Sequence, residues 1–125
     1  MSLVNPIPGN GVLVLENLLN IREWQHKIPW EPFADKVEIH WLYRVAKGPA
    51  AALIRFEKGG HVALHEHDGF EHVLVLSGSQ TDQNGRLEAG SVMIHSPGTR
   101  HSVVSEDGCI VLVVYEKPVR FTERL

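Results

Sequence analysis

Cysteine is nearly absent from this sequence: Cys109 is the single one, so no disulfide can form within the chain. Because proteins of oxidising compartments often carry disulfides, this scarcity predicts a reducing, cytoplasmic environment. Cys109 opens an apolar run, so a buried, inert thiol is expected rather than a nucleophile. That run ends at Tyr115 and is far too short to span a bilayer, and no basic segment followed by an apolar stretch indicates a secretory signal.

An excess of one charge is also lacking. The sequence has 12 basic and 15 acidic residues, a net charge of -3 with histidine neutral, which gives no electrostatic reason to expect nucleic-acid binding. It contains no G-x-S-x-G, phosphate-loop or C-x-x-C motif, which argues against serine hydrolases, nucleotide-binding proteins and thioredoxins. What remains is one domain, because 125 residues with 43% hydrophobic side chains can bury a core without disulfides or metals.

The hydrophobic pattern is that of many short strands. Residues 37–45 alternate strictly, so Val37, Ile39, Trp41, Tyr43 and Val45 are predicted to share one face. Other candidate strands cover residues 51–56, 73–77, 91–94, 102–104 and 110–115. Turns rich in glycine, asparagine and proline separate these strands. The pattern predicts an all-β sandwich or barrel.

Three histidines and one glutamate are spaced as metal ligands. His65 and His67 lie two residues apart, so on a strand both imidazoles project from the same face and can reach one ion. Glu71 begins the next predicted strand, and His101 comes from a separate one. Imidazole nitrogens combined with a carboxylate are typical ligands of divalent first-row metals. The sequence therefore predicts a metal site made of His65, His67, Glu71 and His101.

Glycines bracket these ligands in two motifs. The first runs from Gly59 through His65, His67 and Glu71 to Gly78, and the second combines Gly90, Gly98 and His101. Both resemble the two motifs of the cupin superfamily, and every position of the first motif is filled. The second motif departs at two positions: its proline stands immediately before Gly98, at Pro97, and Ser105 replaces the terminal asparagine. Neither departure affects a ligand, so the resemblance still implies the cupin fold and its metal.

The resemblance implies a single small cupin, an all-β double-stranded β-helix or jelly-roll-like β-barrel. We expect an N-terminal extension, residues 1–36, to pack on a barrel of residues 37–118, followed by a C-terminal tail at 119–125. Smaller features, including residues 30–33 and 96–98, resemble the branch with ChrR-like anti-sigma-factor cupin domains and dioxygenases that cleave small ketones or diketones. That branch implies one divalent transition metal, Fe²⁺ or Zn²⁺ first, with Mn²⁺ or Ni²⁺ as alternatives.

Two functions are compatible with this resemblance. In the first, a non-heme metal with an open position makes the protein an oxygenase, specifically a dioxygenase acting on a small ketone- or diketone-like molecule. In the second, the four side chains close a tetrahedral zinc site in a non-catalytic ChrR-like sensor or binding domain. The first 36 residues show little helical period, which argues against a sigma-binding helical domain within them. We favour the first function.

Weaker patterns concern the substrate and the remaining histidines. Candidates for lining a substrate pocket are Trp41, Tyr43, Phe56 and Met93, with core packing as the alternative for each. His95 lies next to a motif position but is expected on another face, in packing or solvent contact. The predicted partner is therefore a small molecule bound at the metal.

Two predicted strands are apolar on both faces. Residues 73–76 and 110–115 offer hydrophobic side chains in both directions, so one face needs a cover beyond the core of a single barrel. Small cupins commonly pair through such sheets, as the resemblance implies. We therefore expect a homodimer, with neither nucleic acid nor membrane as a partner.

Overall fold

The computed structural model describes residues 7–121, most of which lie in antiparallel β-strands. Two 3-10 turns, Leu18–Asn20 and Gln25–Lys27, flank one helical turn, α1, at Ile21–Trp24. The strands are β1 Glu31–Ala34, β2 Val37–Arg44, β3 Ala50–Phe56, β4 Gly60–His67, β5 Glu71–Asp82, β6 Gly85–Glu88, β7 Val92–His95, β8 Arg100–Ser105, β9 Cys109–Tyr115 and β10 Val119–Phe121. This curled antiparallel sheet confirms the predicted all-β, jelly-roll-like barrel.

The longest strand, β5, joins the two halves of the barrel. Neighbouring strands follow the order β1-β2-β3-β9-β5-β8-β4-β10, and β6 and β7 also pair with β5. The first part of β5 pairs with β7 and β9, whereas its last part pairs with β6 and β8. Gly78 stands where the partners change and has a φ of 75°. A Cβ there would lie 2.9 Å from Cα of Cys109 and closer still to the Gly108 carbonyl, so only glycine fits.

Inward-facing side chains of both halves form the core of the barrel. On β3, Ala52, Ile54 and Phe56 point inward, and on β9 they pair in register with Val113, Val111 and Cys109. The β-branched residues of β9 suit a pleated strand that is buried on one face by the core and on the other by a cover. Burial of this cluster is the main driving force for closing the barrel.

The segment before β1 covers the outer face of β2, β3, β5 and β9. Ile21 is 0% exposed and packs in a second apolar cluster with Leu53 and Leu76. The indole N–H groups of Trp24 and Trp30 each donate a 2.9 Å hydrogen bond to a backbone carbonyl of this segment. The chain therefore covers much of the outer apolar surface itself, the surface that led us to expect a dimer partner.

The predicted alternation of β2 breaks at a β-bulge. Trp41 pairs with Ala52, but Tyr43 pairs with Ala51, so β2 carries one more residue than β3 between these pairs. Trp41 packs against the inner core, whereas Tyr43 packs against the outer cluster. The prediction that Trp41 and Tyr43 share a face is therefore wrong, because an extra residue in a strand reverses the parity of those that follow.

The sheet extends beyond both predicted bounds of the barrel. β1 lies inside the expected extension and pairs with β2, and β10 lies inside the expected tail and pairs with β4. β10 places Phe121 opposite His65, with 5.6 Å between the ring centroids. Residues 1–6 of the extension and 122–125 of the tail lie outside the described residues. Among residues 7–121, no helix has the length and hydrophobicity needed to cross a membrane.

Candidate metal centre

Five polar side chains converge inside one end of the barrel. β4 carries His65 and ends at His67, β5 begins at Glu71, β7 ends at His95, and β8 carries His101. All five residues are buried, with exposed fractions between 1% and 6%. Cross-strand pairing brings them together, because His65 lies opposite His101 and Glu71 lies opposite His95. Paired residues project to the same face of a sheet, which here is the inner one.

Four of these side chains are close enough to share one ion. The ligand atoms of His67, Glu71, His95 and His101 all lie within 4.8 Å of one another. The Oε1 atom of Glu71 is 3.2 Å from Nε2 of His67 and 3.9 Å from Nε2 of His95. Metal–ligand bonds of about 2.0–2.2 Å separate neighbouring ligand atoms by roughly 3–3.6 Å. The observed spacing therefore needs only small adjustments to fit a common ion.

His65 stands beside this group, at the wall of an internal cavity. Its ring centroid lies 4.6 Å from that of His101 and 5.1 Å from that of His67. Nδ1 of His65 is 2.8 Å from the carbonyl oxygen of Ala63, which can only accept, so Nδ1 carries the proton. The Nε2 lone pair of His65 is thereby free to bind a metal. The structure thus places three of the four predicted ligands in the group with His95, and His65 beside it.

Hydrogen bonds at Nδ1 also orient two further histidines. Nδ1 of His101 lies 2.7 Å from Oδ2 of Asp82, whose side chain is only 2% exposed. Nδ1 of His67 lies 3.1 Å from Oγ1 of Thr99, and this hydroxyl donates to the carbonyl of Ser96 at 2.6 Å. Because carboxylate and occupied hydroxyl both act as acceptors, each Nδ1 carries a proton, which leaves Nε2 as the nitrogen that can bind a metal. Partners of this kind orient metal-binding histidines in many proteins.

His95 is the residue that the sequence interpretation missed. It was expected on another face than the ligands, but the structure buries it at 6% exposure, with its ring stacked on His67 at 4.5 Å between centroids. The reason is strand parity: on β7 the exposed residues are Val92 and Ile94, so Met93 and His95 share the inner side. Parity with Met93 is the sequence signal that indicates an inward His95.

The electrostatics of the cluster call for a cation at its centre. Burial alone raises the pKa of Glu71, but the close His67 ring, with His95 and His101 beside it, holds that pKa below its ordinary value. Burial and the neighbouring His101 lower the pKa of His95 to about 4, so this imidazole is neutral at pH 7. Burial likewise lowers the pKa of His65. A buried carboxylate with a lowered pKa therefore lies among imidazoles, of which His95 is neutral at pH 7 and can offer a lone pair.

The residues fit a divalent metal on this evidence. Nε2 of His95 is buried and has no hydrogen-bond partner within residues 7–121, and the buried Nε2 of His67 faces Oε1 of Glu71 at 3.2 Å. Buried nitrogens without partners are costly, and acceptor atoms that converge on one point repel one another. A divalent cation between them removes both penalties and offsets the charge of Glu71. Three or four imidazoles with one carboxylate suit Zn²⁺, Fe²⁺ and related ions, so the donor set does not select one of them.

A narrow cavity leads from the core to the cluster. It has a volume of about 40 Å³, and its polar lining consists of His65, Glu71, Gln80 and His101. The rest of its wall is aliphatic and aromatic. A second, larger cavity of about 160 Å³ lies next to it towards the mouth of the barrel and shares four lining residues with it: Phe33, Tyr115, Val119 and Phe121. The centre can therefore be approached from one apolar side.

The candidate pocket residues are distributed over different surfaces. Phe56 lines the narrow inner cavity, and Trp41 lines the larger outer one. Met93 borders a surface depression together with His95 and Thr99. Tyr43 packs in the outer cluster, away from both cavities, because of the bulge in β2. The sequence did not single out Phe33 and Phe121, which line both cavities, since β1 and β10 were not predicted as strands.

The chain is similar to proteins of one cupin branch. Residues 22–119 match the family described as the ChrR Cupin-like domain. The anti-sigma-E factor ChrR of Cereibacter sphaeroides is 37% identical over 81 residues, which are 62% of this chain and 38% of that protein. The chain thus corresponds to well under two thirds of this relative.

Solved structures show the same fold. The complex of Rhodobacter sphaeroides SigE with the anti-sigma ChrR contains a chain that is 26% identical, with a TM-score of 0.68, over 77% of this chain and 54% of that one. An acetylacetone dioxygenase from Acinetobacter johnsonii is 16% identical, with a TM-score of 0.71, over 90% of this chain and 76% of that one. The second likeness is one of fold alone.

Proposed function

This chain belongs to the ChrR cupin-like domain family, and from that premise we propose that it is a metal-dependent dioxygenase acting on a small ketone or diketone. The observation that carries the proposal is the apolar cavity that ends on His65, Glu71 and His101. A metal centre enclosed on every side would serve structure alone. Here one side of the cluster faces space that a small oxygen-containing molecule can enter.

The residues of the site divide the work between holding the ion and shaping its surroundings. His65, His67, Glu71 and His101, with His95 beside them, would hold the metal. An ion such as Fe²⁺ would supply the redox chemistry with O₂ and accept the oxygen atoms of the substrate. Glu71 lowers the net charge of the centre, while Asp82 and Thr99 keep the imidazoles fixed. The apolar walls exclude bulk water, which protects reactive species from side reactions.

The size of the cavities limits the substrate. A cavity of about 40 Å³ holds about three water molecules, so only the reacting end of a substrate fits beside the cluster. The remainder of the molecule extends into the outer cavity of about 160 Å³, whose wall is largely aromatic and aliphatic. The proposed substrate is accordingly a small molecule with a ketone or diketone group and an apolar body.

Anaerobic reconstitution with Fe²⁺ tests this function. The protein is loaded with Fe²⁺, mixed with a panel of β-diketones and hydroxylated aryl ketones, and then exposed to oxygen. We expect oxygen uptake above that of free iron, with cleavage products for at least one member of the panel. The matched control is His67→Ala, which removes a predicted ligand. Uptake no greater than that of free iron across the panel, together with tightly held zinc in the native protein, would contradict the proposal.

A second function is supported by a different observation. Four buried ligand atoms within 4.8 Å of one another are enough to close a tetrahedral zinc site. In a ChrR-like sensor or binding domain such a site would stabilise the fold and turn over no substrate. A sigma factor is the partner of the ChrR in the solved complex, and the same class of partner is the candidate here. Zinc at one equivalent without exchangeable ligands would favour this alternative, and Fe²⁺, Mn²⁺ or Ni²⁺ with exchangeable ligands would favour the enzyme.

We also propose that the protein forms a homodimer in the cytoplasm. Val92 and Ile94 of β7 are 57% and 55% exposed on the outer face of the sheet, beyond the cover of the N-terminal segment. Exposed apolar side chains on a short outer strand are a common dimer contact. Light scattering at micromolar concentration should give about twice 14.0 kDa, and the double variant Val92→Ser, Ile94→Ser should shift the mass towards the monomer. A parent mass near 14.0 kDa would contradict the dimer.

A further inference from the structure

We propose that Arg44 makes the outer cavity a binding site for the carboxylate of an apolar keto acid, whose ketone end reaches the metal centre. The ketone half of this statement rests on the proposed function. The carboxylate half rests on independent features of the barrel: the register of the sheet, the lining of the outer cavity and the ion pairs of the other arginines. The inference therefore specifies the substrate class further, from a ketone to a ketone with a negative charge at its far end.

The register of the sheet places Arg44 and the metal cluster on one line. Arg44 pairs with Ala50, Ala50 with Tyr115, Tyr115 with Glu71, and Glu71 with His95. Residues paired in this way share a face, and Ala50, Tyr115, Glu71 and His95 are all buried on the inner side. Arg44 therefore projects to the same side as the cluster. Three strand spacings of about 4.8 Å separate the backbones of Arg44 and Glu71 by roughly 14 Å, less where the sheet curls.

The space between them is apolar and open. Two residues lie between Arg44 and Glu71 in this row, Ala50, whose side chain is a single methyl group, and the buried Tyr115, and both line the outer cavity of about 160 Å³. Phe33 and Phe121 form its walls and continue into the inner cavity. Arg44 lines the outer cavity, and Glu71 lines the inner one. A flat or extended apolar body can thus lie over Ala50 and connect the two ends.

Arg44 is free to bind an anion. Its guanidinium lies over the ring of Trp41, with Cζ 4.2 Å from the ring centroid, which fixes its position without neutralising its charge. The ion pairs made by arginine within residues 7–121 involve Arg55, Arg86, Arg100 and Arg120, and not Arg44. Arg44 is also the charged residue that lines the outer cavity. A guanidinium binds carboxylates with two parallel hydrogen bonds.

A pair of probes that share an aryl ketone and carry a carboxylate or a methyl group at the opposite end tests the inference. The protein is loaded with zinc, so that no turnover occurs, and titrated calorimetrically with 4-acetylbenzoate and with its neutral counterpart 4-methylacetophenone. We expect the carboxylate probe to bind about tenfold more tightly, since hydrogen bonds to charged groups are the stronger ones. Equal affinities, or binding of neither probe at millimolar concentration, would overturn the proposal.

Three variants locate the anion. Arg44→Gln should lose the preference for the carboxylate, and Arg44→Lys should restore part of it, because the charge returns without the planar geometry. Arg86→Gln removes the same charge from an arginine paired with Asp107 away from both cavities, and it should retain the preference. A carboxylate bound directly at zinc would leave the preference intact in Arg44→Gln, and this result would also overturn the proposal.

Titration of the metal-free protein separates this inference from the proposed function. In one outcome, the metal-free protein keeps the preference for the carboxylate, Arg44→Gln loses it, and zinc raises the affinity for neither probe. The anion site then stands, and the binding of the ketone at the metal fails. If zinc strengthens the binding of both probes equally and Arg44→Gln changes neither, the anion site fails and ligand binding at the metal stands. Ala50→Leu, which fills the outer cavity, should weaken both probes, and unchanged binding would place them elsewhere and overturn the proposal.

Discussion

Whether a histidine of the centre can bind a metal through Nε2 depends on which of its ring nitrogens carries the proton. A backbone carbonyl fixes His65, Thr99 fixes His67, and Asp82 fixes His101, each through Nδ1. Burial raises the pKa of Asp82, but the hydrogen bond from His101 holds it below its ordinary value. The carboxylate is therefore charged at neutral pH. These contacts direct Nε2 towards the metal site before any ion binds. In the metal-free protein they leave buried ring nitrogens unsatisfied, which lowers its stability.

Removing the acceptor for His101 should weaken metal binding. In Asp82→Ala, the His101 ring loses its fixed orientation and its most basic form, so the affinity for zinc should fall roughly 10–100-fold. Competition against a chromophoric chelator measures the change. Asp68→Ala is the matched control, because Asp68 is an exposed carboxylate bound to Arg120. Affinity of Asp82→Ala within twofold of the control would show that the hydrogen bond does not support the site.

His95 can be tested as a ligand in the same assay. If its unpartnered Nε2 binds the ion, His95→Ala should lower the zinc affinity at least tenfold, since one imidazole ligand is removed. His72→Ala is the control, because His72 is an exposed histidine on the opposite face of β5. Equal affinities of the two variants would mean that His95 is a buried neighbour of the centre and that His65 completes the ligand set.

The N-terminal segment acts as the cover of one side of the barrel. Ile21 is fully buried against the outer cluster, whereas Leu19, two residues away, is 79% exposed. Ile21→Ala leaves a cavity under the segment and should lower the free energy of unfolding by about 2–4 kcal/mol, measured by urea denaturation. Leu19→Ala should change it by less than about 0.5 kcal/mol. A similar small effect of both substitutions would show that the segment does not stabilise the barrel.

Alternation and spacing predicted those parts of the fold where each strand is regular. β2, β3, β8 and β9 were expected within one or two residues of their bounds, because β2 alternates with the period of a strand and the others are short apolar runs between turn residues. β1 and β10 were missed, since four and three residues, with a proline in β1, carry too short a pattern. The bulge at Trp41 was also invisible, because local sequence does not show how two strands match in length.

The spacing of the two motifs predicted part of the site. His65, His67, Glu71 and His101 follow from their positions between glycines, and the structure places them within one end of the barrel. Residue type alone selects neither His95 nor Asp82: strand parity with Met93 indicates an inward His95, and the contact of Asp82 with His101 depends on the register of β5 with β8. The outer cavity likewise depends on β10 closing over β4, a long-range contact with no local pattern.

The stability of the whole molecule should depend on pH in the absence of metal. The pKa of His95 is about 4 in the folded protein against 6.5 in an unfolded chain, and burial lowers that of His65 in the same direction. Between these values the unfolded chain binds more protons than the folded one, so stability falls as pH decreases from about 6.5 towards 4. Urea midpoints of the metal-free protein should therefore drop between pH 7 and pH 5.

Two comparisons check that the buried histidines cause this dependence. His95→Gln, which cannot take up a proton, should reduce the drop, whereas His72→Gln on the exposed face should leave it unchanged. Bound zinc should raise the midpoint at pH 7 and lose this effect on acidification, because protons compete with the metal for imidazole. A midpoint that is constant from pH 7 to pH 5 in the parent would contradict the assignment of neutral, buried histidines.

The account as a whole depends on a bound divalent ion in the histidine–glutamate cluster. Plasma mass spectrometry of protein purified without chelator and without added metal measures this directly, with His67→Ala as the variant and His72→Ala as its control. We predict about one equivalent of a single transition metal per chain in the parent and in His72→Ala, and a large loss in His67→Ala. Equal metal content in His67→Ala and the parent, or no transition metal in either one after incubation with zinc and desalting, would contradict the account.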